Sequence, residues 1–160
     1  MKEPLAIRWS RPIPEVAKIN TCTVSKDTAG RYFVSLLCDD TVTPLPEVPG
    51  QVGIDLGLTH FAILSTGEKI AAPNTFRRNE KKLAMLQRRP SKKQKGSKNR
   101  AKAKQKVARL HAKIADTRQD FLHKVSTRLI RENQVIAVET LAVTNMVKNR
   151  HLSKSISDAG

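Results

Sequence analysis

Val52-Gly-Ile-Asp-Leu-Gly-Leu58 and, much later, Gln134-Val-Ile-Ala-Val-Glu139 decide how this chain reads. In the first, two-residue alternation puts Val52, Ile54 and Leu56 on one face of a strand and Gly53, Asp55 and Gly57 on the other. An acid thus leaves an otherwise apolar strand between two glycines that keep its surroundings open. The second is nearly continuous in apolar character, as a central parallel strand is, with Glu139 at its carboxyl end. Apolar runs around a turn at Gly67 predict a β meander through Ile70-Ala-Ala72, and a long helical stretch separates it from the second strand. A strand, a helical crossover and a second strand place the two strands parallel and commonly adjacent, about 4.8 Å apart. Asp55 and Glu139 are then expected to share a cleft, where two carboxylates repel unless a cation or proton intervenes. Mg²⁺ or Mn²⁺ suits such a site. Hard oxygen ligands and retained waters fit phosphodiester hydrolysis, one ion activating water and another stabilising the leaving oxygen. Two plainer roles stay open: Asp55 ending its strand by bonding a turn, and Glu139 capping a helix or pairing with Lys148.

Between the two strands lies a charge run. Arg77, Arg78, Lys81, Lys82, Arg88, Arg89, Lys92, Lys93, Lys95, Lys98, Arg100, Lys102, Lys104, Lys106, Arg109 and Lys113 are opposed by Glu80 alone. Pro90 and Gly96 are expected to break it into two helical arms, roughly 77–89 and 98–131, around a polar tip. Val107, Leu110, Ile114, Phe121, Leu122, Val125 and Leu129 recur at three-and-four spacing and predict a buried stripe on the second arm. Its first two turns lack that stripe, so the tip is expected to project from the core. Like charges at this density repel one another, and a polyanion relieves them. The bases from Arg77 to Arg109 are therefore the expected nucleic-acid contacts.

Working outward to the amino terminus, Leu5–Trp9, Val16–Val24 and Tyr32–Cys38 predict three short strands of a small antiparallel β unit, with a hairpin turn near Asp27–Gly30. Cys22 and Cys38 have no CxxC spacing and read as buried, reduced thiols. Trp9, Tyr32 and Phe33 read as core. Pro44, Pro46 and Pro49 form a stiff linker, giving domains 1–47 and 48–160 with the hairpin over 77–131.

Composition bounds the whole. The 160 residues hold 30 Lys and Arg against 14 Asp and Glu, a net charge of +16, and are 39% hydrophobic with 4% aromatic. That suits about one domain, excludes a fully disordered chain, and makes a polyanion the first partner to consider. No stretch reaches the ~18–20 apolar residues of a membrane span, and Met-Lys-Glu-Pro does not begin a secretory signal, so a cytoplasmic protein, nucleoid-associated when bound to DNA, is expected. His60, His111, His123 and His151 lack metal-ligand spacing.

The Gly-Ile-Asp-Leu-Gly strand, the basic hairpin, the strand through Glu139 and Ser155-Ile-Ser-Asp-Ala-Gly160 together resemble the TnpB family, the OrfB-type insertion-sequence proteins once called transposases and related to type V CRISPR effectors. The resemblance implies a transposon-encoded RNA-guided DNA endonuclease. It also implies an α/β chain: a partial RNase H-like (RuvC) nuclease fold carrying the basic hairpin, preceded by the end of a wedge-type β barrel that holds guide RNA. Asp55 matches the first catalytic, metal-binding carboxylate and Glu139 the second. The family's third carboxylate and its zinc ribbon have no counterpart before Gly160, and Asp158 falls where a helix begins. A truncated fragment, inactive by itself, is the implied state, with guide RNA and target DNA as partners. Two rivals remain in view. A non-catalytic RNA- or single-strand-binding module explains the charge but leaves both acids idle. An ATPase of the actin and sugar-kinase class shares Gly-Ile-Asp-Leu-Gly, but it needs a later glycine-rich segment where only Gly96 and Gly160 occur.

Overall fold

A computed structural model describes residues 5–15, 17–41, 43–149 and 153–159, the side chains of 154, 157 and 159 excepted. Val16 and His151 lie outside the described residues. The chain is mixed α/β and divides into two compact units, residues 1–27 with 31–44 and residues 28–30 with 45–160.

In the first unit β1 (Lys18–Lys26) pairs antiparallel with β2 (Tyr32–Asp39), with a register shift between Ile19 and Thr21. Leu5–Trp9 forms no strand, so the expected three-stranded unit is a two-stranded ribbon. A ribbon has no second layer to bury its side chains against. Cys22 is accordingly exposed and Cys38 half-buried, and Trp9, Tyr32 and Phe33 are exposed, which corrects the expectation that all five sit in a core. Tyr32 and Phe33 instead carry cations, Lys26 Nζ 4.9 Å and the Arg31 guanidinium carbon 5.2 Å from the ring centroids.

The second unit is built on a four-stranded sheet ordered β5-β4-β3-β6, made of β3 (Gln51–Leu56), β4 (His60–Leu64), β5 (Lys69–Ala71) and β6 (Val135–Val138). β3 pairs antiparallel with β4 and parallel with β6, as the crossover predicts. The alternation in β3 sorts the faces. Val52 joins Ala62, Leu64, Ile70 and Leu129 in a buried cluster, against which Ile54, Phe121, Val125 and Ile136 also pack. Phe61 meets Phe121 edge-on at 5.0 Å. Each large apolar side chain fully buried there stabilises the sheet by about 1.5–3 kcal/mol.

The helical crossover is a hairpin, α1 (Thr75–Ser91) and α2 (Lys98–Glu132). Pro90 does not break α1; it sits in the last turn and the helix runs one residue past it. Gly96, with φ 85°, takes the left-handed turn between the arms, and the Ser97 hydroxyl caps α2 by accepting from Arg100 N–H at 3.2 Å. The arms have their own core of Leu83, Leu86, Leu110 and Ile114, and Ala103 is buried near the tip. The tip therefore projects as a packed pair of helices rather than as two bare arms.

The proline-rich segment threads past the start of β6. The carbonyl of Gly50 accepts from Gln134 and Val135 N–H, and a Cβ at Gly50 would lie 2.1 Å from the Glu132 carbonyl oxygen, so only glycine fits there. Beyond β6 come α3 (Val143–Lys148) and α4 (Ser153–Ala159).

Candidate nuclease face and basic hairpin

The parallel register sets the geometry of the two acids. Gly53 pairs with Ala137 and Ile54 with Val138, the last pair of the register, so Asp55 follows one step later in β3 and Glu139 one step later, just past the end of β6. Residues in register on parallel strands project from the same face. That face is the one α2 does not cover, and a shallow concavity on it is lined by Gly53, Asp55, Ile63, Ser65, Ala137 and Glu139. Both carboxylates are exposed, and neither has an ion pair or side-chain hydrogen bond among the described residues, Lys148 included. Ser65 frames them. Its hydroxyl accepts from Gly53 N–H at 3.0 Å while its own N–H donates to the Gly53 carbonyl at 2.8 Å.

Two hard oxygen ligands on neighbouring strands fit one octahedral divalent ion that keeps most of its waters. Among the described residues no three His, Cys, Asp or Glu side chains converge.

Of the bases expected to meet nucleic acid, most stand exposed along the arms, but they are not equivalent. Arg77 is engaged at the base of the hairpin, where its guanidinium donates to Ser155 Oγ at 2.6 Å and lies 3.7 Å from Asp158. Arg100 Nε is shielded from solvent, and Arg109 Nε donates to the Ala29 carbonyl at 3.4 Å. Arg89, Lys92, Lys93, Lys102 and Lys106 converge on one cleft between the arms. Farther along α2 the cations are balanced: Lys124 pairs with Asp120 and Arg128 with Glu68. The Glu68 hydrogen bond holds the Arg128 pKa above its ordinary value.

Sequence reasoning set Asp158 aside as a residue of an incomplete helix, yet it is 2% exposed. Its carboxylate accepts from Phe76 N–H at 2.7 Å and Arg77 N–H at 3.4 Å, capping α1 from a separate helix. The local cap residue, Asn74, sits in the left-handed region at φ 48° and makes no side-chain cap bond. Asn74 and Thr75 read in sequence as an ordinary local cap, so nothing there signalled that the cap comes from elsewhere. No described helix is long and apolar enough to cross a membrane.

A family model described as "Probable transposase", OrfB_IS605, matches residues 22–150. The "Putative RNA-guided DNA endonuclease" of Streptomyces pristinaespiralis is 59% identical over 157 residues, which are 98% of this chain and 39% of that protein. The similarly named InsQ of Escherichia coli (strain K12) is 41% identical over 143 residues, 89% of this chain and 35% of its own. A Mycobacterium tuberculosis protein of the same description is 27% identical over 126 residues. The chain thus spans well under half the length of the curated relatives it matches.

Proposed function

The chain belongs to the OrfB_IS605 family, the TnpB-type insertion-sequence proteins, and on that premise we propose that it is the part of an RNA-guided DNA endonuclease that supplies the first two metal-binding carboxylates and a basic nucleic-acid-binding hairpin. One observation carries the reading: Asp55 and Glu139, far apart in sequence, line one open concavity with no competing partner among the described residues. The strand order β5-β4-β3-β6, with one parallel step between the two acids, supports a partial RuvC-like sheet. Under this reading residues 1–47 are the end of a wedge-type β domain and 48–160 the first part of the nuclease domain, working in the cytoplasm.

Asp55 and Glu139 would hold Mg²⁺ or Mn²⁺, which when bound activates water and stabilises the leaving oxygen of a phosphodiester. The protein's own residues do the rest. The open strand-end face admits a backbone phosphate, Ser65 and the glycines fix the strand positions beside Asp55, and the hairpin bases hold guide RNA and target DNA through phosphate while base pairing reads sequence. A binding-only role for the chain by itself is favoured by one specific observation, the lack of a third converging carboxylate among the described residues.

Titration of Mn²⁺ into the whole chain, followed by loss of the free-ion paramagnetic signal, tests the site. One ion is expected, with Asp55→Asn and Glu139→Gln each weakening it about tenfold or more, a loss of about 1.4 kcal/mol. Unchanged Mn²⁺ binding in both variants would remove the metal-site reading.

A further inference from the structure

We propose that the cleft between the hairpin arms is a single-strand nucleic-acid site, taking one sugar-phosphate strand along its length; this rests on the nucleic-acid reading above and assigns it a place. The cleft, about 510 Å³, is lined by Arg89, Lys92, Lys93, Asn99, Lys102 and Lys106 over a floor of Leu86 and Ala103. No carboxylate lines it, and none of its five cations has an ion pair among the described residues.

Three physical facts make the cleft more than a stretch of charged surface. Asn99, Lys102 and Lys106 share one face of α2 by i, i+3, i+7 spacing, so their heads point together into the cleft. The start of α2 is the positive end of its macrodipole, where acids normally sit. Here the first turn has no acid and begins Lys98-Asn-Arg100, so dipole and side chains are both positive until an anion arrives. Another concavity on α2, lined by His123, Lys124, Thr127, Arg128, Arg131 and Glu132, includes an acid, and two of its cations are paired with Asp120 and Glu68. Positive charge is balanced on one part of α2 and left unbalanced at the cleft.

The size of the cleft selects the ligand: five cations from the two arms gather on about 510 Å³, room for a short piece of one strand rather than for a duplex. A duplex would instead take an arm into its own groove, about 12 Å wide for the major groove of B-DNA, and touch the outer faces of the arms. Leu86 and Ala103 at the floor of the cleft are buried and present no hydrogen-bonding group, and the cations around them meet phosphate, so recognition is of backbone and not of sequence.

The test compares two charge-matched double variants of the whole chain, Lys92→Gln with Lys102→Gln in the cleft and Lys69→Gln with Lys148→Gln outside the hairpin. All four lysines are exposed, and circular dichroism checks that the helices persist. Fluorescence anisotropy follows labelled RNA and DNA single strands of about ten nucleotides and an RNA duplex of similar phosphate count. The cleft pair is expected to weaken single-strand binding about tenfold or more and to lower the log–log salt slope by about 1.4, the outer pair to change either little. RNA and DNA strands are expected to bind within about threefold of each other, the duplex more weakly. Equal losses from the two pairs, or a duplex that binds as tightly as a strand, would overturn the cleft while leaving nucleic-acid binding intact. A wild-type chain that binds no strand at all would instead remove the nucleic-acid reading itself.

Discussion

At the residue scale the least expected side chain is Asp158. A carboxylate 2% exposed is costly unless hydrogen bonds replace its lost water, and here two backbone N–H groups at the positive end of α1 and the Arg77 guanidinium do so. Asp158→Ala is therefore expected to lower stability by about 1–2 kcal/mol, the upper range for losing an N-cap, and Asp158→Asn by less because its amide oxygen still accepts. Urea denaturation followed by helical circular dichroism checks this. If Asp158→Ala unfolded at the wild-type midpoint, the clamp would have no energetic role. Sequence could not show it. The bond joins residues 82 positions apart, and period and propensity speak only for neighbours. The neighbouring placement of Asp55 and Glu139 was legible because one lies in, and the other directly after, a strand whose alternation or apolar run reads locally, and the crossover rule supplies the adjacency of the strands.

At the element scale α2 does two jobs with one stripe. Leu110 and Ile114 pack on α1, whereas Leu129 packs on the sheet beside Phe121 and Val125. The spacing of the stripe revealed that α2 is amphipathic but not that its 35 residues serve two separate clusters, because periodicity says which face is buried and not against what. The same limit explains the tip, where Ala103 is buried by close approach of the arms although it adds nothing to the apolar pattern. Pro90 misled for a different reason: its ring costs α1 the hydrogen bond to the Leu86 carbonyl, but that is one bond, and the packing of Leu83 and Leu86 against α2 holds the last turns. Leu110→Ala is expected to cost about 2–5 kcal/mol as a core truncation, felt mainly within the hairpin. Amide hydrogen exchange should then quicken in α1 and the first half of α2 while β3 and β4 keep their protection. Uniform loss of protection across sheet and hairpin would mean the two clusters form one cooperative unit.

At the scale of the whole molecule two quantities point in different directions: a net charge of +16, and a face on which two acids, and among the described residues no third, come together. Binding draws on many weak phosphate contacts and survives the loss of any one, but hydrolysis depends on the complete ligand set around the ions. The chain as it stands is thus expected to bind single strands with a salt slope near −0.7 per phosphate contacted, yet to cut a labelled strand in Mg²⁺ at most slowly. Cleavage compared between the chain and Asp55→Ala separates the outcomes. Equal, negligible rates agree with an incomplete site, whereas vigorous cutting abolished by Asp55→Ala would mean that two carboxylates and solvent suffice. A flat salt response, with or without cleavage, would mean that the charge run is not a phosphate-binding surface, because an electrostatic contact between lysine or arginine and phosphate must release counterions when it forms.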